Sequence, residues 1–121
     1  MDQIPTSKQY DLEKRTFNFA KNIRDWLGGL KRTPANMEDC HQLMRSSGSV
    51  GANYIEANES LSKKDFIMRA KICRKEAKES RYWLALLENS GTENQENTRK
   101  SLLQESTELL LIFSAIINKS E

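Results

Sequence analysis

Apolar residues recur along this chain in alternating steps of three and four, and no segment alternates with period two. The pattern therefore predicts helices throughout. The first stripe starts at Tyr10 and continues through Phe17, Ala20, Ile23 or Arg24, Leu27 and Leu30, which predicts a helix over 11–27. Gly28-Gly29 is expected to end it in left-handed geometry. Thr33 is the expected N-cap of a second helix over 34–59, with Pro34 in the first turn, where a missing N–H is harmless. Its stripe reads Met37, Cys40, Met44, Ser47, Gly51, Tyr54, Asn58 and Leu61, widened by Leu43, Val50 and Ala57. A third helix over 62–89 opens on Ser62 with Asp65 as an approximate capping box. It turns Phe66, Ala70, Cys73, Ala77, Ser80, Leu84 and Leu87 inward, and Asn89-Ser90-Gly91 stops it. Thr92 and Gln95 repeat the capping-box spacing ahead of a fourth helix over 93–119.

Connections of about two to six residues make neighbouring helices antiparallel. The expected fold is all-α, an antiparallel up-down-up-down four-helix bundle occupying 1–121 as one domain. The longer helices, at about 25 residues, span roughly 37 Å.

Two segments hold more than a lone bundle requires. Helix 2 gathers Ser46, Ser47, Gly48, Ser49, Gly51 and Ala52 within seven positions. Each helix-interior glycine costs about 1 kcal/mol relative to alanine, so a closely approaching helix is expected there. Helix 4 reads LLLIFSAII, and a stripe through 102, 103, 106, 109, 110, 113, 116 and 117 leaves Leu111 on the opposite side and Ile112 at the margin. Ser47, Gly48, Gly51, Ala52, Leu111 and Ile112 are thus the expected close-packing surface of a homo-oligomer.

Composition narrows the function classes. Charged residues make up 30% of the 121 positions, with two prolines, five glycines and two cysteines. The nine-residue run Leu109–Ile117, broken by Ser114, is too short to span a bilayer. MDQIPTSKQYD has neither a basic nor an apolar leader region. Cys40 and Cys73 sit on apolar stripes and read as inert core thiols, not as a disulfide framework. These features predict a cytoplasmic protein without a membrane partner. The net charge is only +2, yet residues 63–81 hold eight Lys or Arg against Asp65, Glu76 and Glu79, leaving −3 for the remainder.

The stretch Gln42–Ala57, QLMRSSGSVGANYIEA, resembles the signature of the bacterial four helix bundle proteins, also called ribosomal RNA intervening-sequence proteins. Ser62–Phe66 and Arg74–Leu84, RKEAKESRYWL, are similar to that family's third helix, and the likeness runs from Tyr10 into helix 4. Many relatives carry glycine where this chain has Ala57, which blurs the expected end of helix 2. The resemblance implies a bundle that assembles into a ring, a pentamer in relatives, without enzymatic activity or cofactor. A more distant likeness of fold, to the accessory variability proteins of diversity-generating retroelements, implies a basic barrel that associates with nucleic acid.

With the helix-3 seam inward, Lys64, Lys71, Lys75 and Lys78 fall on the outer face, flanked by Arg74 and Arg81. These six residues are the expected contacts to RNA or DNA phosphates, with Tyr82 placed to stack on an unpaired base. The competing reading is a solvated face in which Lys75 pairs with Glu79, on a scaffold that binds an unidentified protein partner. Glu38-x-x-His41 has di-iron spacing, but one such motif and one histidine cannot complete a site, so no metal is expected. Glu56 and Glu59, and Glu76 and Glu79, are carboxylate pairs without a nucleophile or phosphate loop, so no catalytic residue is assigned. Glu76 is expected to meet Arg69 or a cation across an interface, and Arg45 and Asn53 to bond across subunits. Asn58 is expected to cap helix 2 or fix its register, and Trp26 and Trp83 to pack at seam margins.

Overall fold

A computed structural model of the chain describes residues 7–121, with side chains from residue 11 onward. The Tyr10 position of the first stripe and the leader reading of the first residues lie outside the described side chains. Four helices follow in order: α1 (Ser7–Gly29), α2 (Met37–Asn58), α3 (Lys63–Leu86) and α4 (Glu93–Ser120). They pack on one another to make an all-α four-helix bundle, and the described residues contain no strand. None of the described helices is long and apolar enough to cross a membrane.

The helix ends follow local chemistry. Thr33 Oγ1 accepts from the Asn36 amide at 3.2 Å while Asn36 Oδ1 accepts from the Thr33 amide at 2.8 Å, which closes the turn ahead of α2; the helix starts three residues later than expected, with Asn36 and not Thr33 at its N-cap. Ser62 Oγ accepts from the Asp65 amide, and Thr92 and Gln95 complete a full capping box at α4. Gly28 and Gly29 depart from expectation: they stay helical with negative φ, and Asn89, at φ 62°, supplies the left-handed residue before α4. α2 ends at Asn58 with Ala57 buried.

Contacts cross each pair of helices in opposite numerical order. Glu13 meets Asn58 and Arg24 meets Met44 between α1 and α2, while Ser46 meets Ser80 and Asn53 meets Arg69 between α2 and α3. Leu84 meets Arg99 and Arg81 meets Thr107 between α3 and α4; Arg15 meets Glu105 and Trp26 meets Gln95 between α1 and α4.

The core joins Phe19, Ile23, Leu27, Leu43, Val50, Leu84, Leu109 and Phe113, all essentially inaccessible to solvent. The α3 seam is as the sequence predicts. The α1 stripe holds at Ile23, Leu27 and Leu30 but not at its start: Phe17 is 65% exposed, Ala20 is only half-buried, and Leu12, Thr16, Phe19 and Trp26 face inward. This phase buries Phe19 and Trp26, which the predicted stripe excluded, and apolar area sets the preference. Of the stripe predicted for α2, Met37 is likewise exposed and Leu61 lies exposed beyond the helix end, so the buried stripe is carried by Cys40, Leu43, Ser46, Ser47, Val50, Tyr54 and Ala57.

The small residues of α2 receive α1 of the same chain. A Cβ built on Gly51 would lie 3.0 Å from Thr16 Oγ1, and one on Gly48 would lie 3.0 Å from Arg24 Nη2. Ser47 is fully buried on this side. The offset for the two helix glycines is therefore an intrachain helix contact. Ala52 and Leu111 remain exposed, and Ile112 is half-buried against the core.

Candidate nucleic-acid interface

The apolar seam of α3 fixes where its cations point. Because Ala70, Cys73, Ala77 and Leu84 are buried, residues half a turn away must face solvent, and Lys64, Lys71, Lys75 and Lys78 are exposed. Arg74 and Arg81 are half-buried. Arg81 leans onto α4, where Nη1 donates to Thr107 Oγ1 at 3.5 Å. Five of the six predicted residues (Lys71, Arg74, Lys75, Lys78 and Arg81) line one open groove of about 500 Å³, with Leu110 of α4 completing its wall. From residue 71 to residue 81 the row extends about 15 Å along the helix axis. Lys64 lies outside it, in an adjoining groove with Ile67, Met68 and Ile72.

The carboxylates that would neutralise this row lie elsewhere. Glu76, 7% exposed, and Glu79 turn toward α2 and share Arg45, at 3.3 Å for Glu76 Oε1. Glu76 is thus paired within the chain, and not with Arg69, which donates to Asn53 Oδ1. Asn53 in turn donates to the Ser49 carbonyl, so Arg45 and Asn53 both have intrachain partners. Burial works to raise the Glu79 carboxyl, but hydrogen bonds from Trp83 Nε1 at 3.1 Å and from Arg45 outweigh it and hold the group below its ordinary value. Glu79 therefore stays anionic and engaged with Arg45, and no ion pair with Lys75 forms.

Among the described residues one acid touches the row: Lys71 Nζ lies 3.6 Å from Glu121 Oε2, with both side chains half-exposed. An exposed pair of this kind contributes about 0–1 kcal/mol and yields readily to a phosphate. Lys71–Lys75, Arg74–Lys78 and Lys78–Arg81 stand three or four residues apart. Like charges at such spacing destabilise a helix by a few tenths of a kcal/mol per pair, and a bound polyanion removes that repulsion.

Other candidate chemistry is not assembled. His41 is exposed, and the described residues gather no group of three His, Cys, Asp or Glu suited to a metal ion. Cys40 and Cys73 are free and buried, and burial pushes the Cys73 thiol up to about 12. Glu56 and Glu59 are exposed. Asn58 Nδ2 donates to Glu13 Oε2 at 2.7 Å, a register tie between α2 and α1. Trp26 is buried, with its indole N–H donating to the Gln95 carbonyl at 2.9 Å.

Sequence reading did not find Leu110 as part of the groove, nor Ile67, Met68 and Ile72 beside it. The signal was available in the last three, which are apolar residues off the α3 seam. It also missed Arg99, 4% exposed, whose Nη1 donates to the Leu84 carbonyl at 3.0 Å beside its ion pair with Glu96.

A sequence model of the family described as 23S rRNA-intervening sequence protein matches residues 8–115. Among solved structures, a protein of unknown function from the S23 ribosomal protein family of Bacteroides thetaiotaomicron VPI-5482 is similar at 32% identity. The match covers 92% of this chain and 98% of that one, with a TM-score of 0.79. Comparison with curated proteins gives no significant match.

Proposed function

The chain belongs to the 23S rRNA-intervening sequence protein family, and from that premise we propose that it is a non-enzymatic protein that binds RNA or DNA backbones through the α3–α4 groove. The observation that carries this reading is charge segregation on one helix. Five cations line a single groove, while Glu76 and Glu79 are turned to α2 and engaged by Arg45. Binding draws its free energy from counterion release and reads backbone geometry in preference to base identity. We place the activity in the cytoplasm, where a reducing environment keeps buried cysteines such as Cys40 and Cys73 as thiols.

The test is fluorescence anisotropy of untagged protein with labelled structured RNA and duplex DNA across a salt series. If all five cations meet phosphates, log affinity falls against log salt with a slope of about −4 to −5 on duplex. Lys71→Glu combined with Lys75→Glu and Lys78→Glu flattens that slope by about 3. Absence of binding at low salt, or an unaltered slope in the triple variant, overturns the proposal.

We also propose that copies self-associate through exposed apolar positions, among them Leu111 at 59% exposure, with Ala52 beside the small-residue face of α2. The pentamer implied by the resemblance is the expected assembly. Sedimentation gives the mass, and Leu111→Asp is expected to lower it; a monomeric wild type overturns this part.

A further inference from the structure

We infer that the strand received by this surface is unpaired, with phosphates along the α3–α4 groove and bases laid over an apolar and aromatic lane beside it; this rests on the polynucleotide reading above. Lys64, Met68, Lys71, Lys75, Lys78 and Tyr82 follow one another by steps of four and three, which places them on a single face of α3, and all six are exposed. A solvated charge face has no need of apolar members. Here Met68 is 47% and Tyr82 57% exposed. The groove around Ile67, Met68 and Ile72 also shares Lys71 and Lys75 with the cationic groove. Phosphate-binding and apolar surfaces therefore adjoin, with the same two lysines between them.

Tyr82 is held for stacking. Its ring meets Trp83 edge-on, with centroids 5.0 Å apart and planes at 78°. Trp83 is fixed by its hydrogen bond to Glu79, which Arg45 anchors to α2. The phenol thus has a fixed neighbour on one side and solvent around the rest. A duplex presents phosphates on its outside and keeps its base faces stacked, so it engages the cations but leaves Met68 and Tyr82 unused. An unpaired strand presents anionic and flat apolar groups together, which matches the two halves of this surface.

The test compares an unstructured 12-nucleotide strand, as RNA and as DNA, with the same sequence in duplex form, using the full chain. Wild type is expected to bind the single strands at least about 10-fold tighter than the duplexes. Tyr82→Ala is expected to weaken single-strand binding by about 5- to 100-fold, while Tyr82→Phe retains it. Tyr82→Ala leaves duplex affinity and the salt slope unchanged, and equal thermal midpoints confirm the fold. Equal wild-type affinity for strand and duplex, or an equal effect of Tyr82→Ala on both, overturns the inference. If duplex binding persists and responds to the lysine reversals, the backbone-binding reading survives that failure. Absence of binding to every probe defeats both.

Discussion

Replacing glycine by alanine at three positions separates helix propensity from close packing. In an open helical position the change gains up to about 1 kcal/mol. Gly28 has no heavy atom within 4 Å of an added Cβ, so Gly28→Ala reports the propensity gain alone. At Gly48 the added Cβ meets the guanidinium tip of Arg24 at 3.0 Å, and Arg24 is an exposed, flexible side chain. A shift of a few tenths of an ångström suffices there, so Gly48→Ala is expected to be neutral or stabilising by up to about 1 kcal/mol. At Gly51 the obstacle is Thr16, with Oγ1 at 3.0 Å, Cβ at 3.3 Å and backbone carbon at 3.6 Å. Thr16 is completely buried, and its hydroxyl donates to the Glu13 carbonyl at 2.9 Å, so α1 itself must move. Overpacking of this kind costs about 1–3 kcal/mol. Set against the propensity gain, Gly51→Ala is expected to destabilise by about 1 kcal/mol, or about 4 °C in a domain of this size. Urea unfolding followed by helical circular dichroism reads the series, at fixed protein concentration because association shifts apparent stability. Adding Thr16→Ala to Gly51→Ala removes the 3.0 Å contact and should recover about 1 kcal/mol of coupling. A Gly51→Ala protein as stable as Gly28→Ala would refute the intrachain approach of α1.

Arg99→Met preserves bulk but removes the donor to the Leu84 carbonyl and the partner of Glu96. It is expected to lower stability by about 1–3 kcal/mol, and an unchanged urea midpoint would contradict this. Cys40 and Cys73 should resist a thiol reagent at pH 8 in the native protein and both react in denaturant, because burial raises both thiols; rapid native labelling would show that the core is open. Glu79, Glu96 and Glu108 are all held below the ordinary carboxylate value of 4.5. For Glu96 the chief cause is the hydrogen bond from Arg99, and for Glu108 those from Gln104 and then Arg15. Depressed folded values mean that the unfolded chain binds protons first as pH falls. The urea midpoint should therefore stay level between about pH 7 and 5 and drop below about 4.5; a midpoint that holds to pH 3 would sink this assignment.

The sequence by itself determined the number of helices, the residues whose side chains close the turns ahead of α2, α3 and α4, and the inward face of α3. Those features depend on interactions within a few residues: Thr33, Ser62 and Thr92 satisfy amides three positions on, and Ala70, Cys73, Ala77 and Leu84 of α3 share one phase. The outward direction of Lys64, Lys71, Lys75 and Lys78 followed from that phase. Tertiary structure decided the rest. α1 carries two competing apolar phases, and only packing against α2 and α4 chose Phe19 and Trp26 over Phe17. The small residues of α2 announced a close neighbour but not its identity, because a glycine records the absence of a side chain and nothing about what fills the space. Thr16 and Arg24 of the same chain fill it. The basic row became a groove only when Leu110 of α4 came beside it and Arg45 of α2 drew Glu76 and Glu79 away. Periodicity along one helix fixes which way a charge points; which charges cancel and which remain available depends on residues brought together from distant parts of the chain.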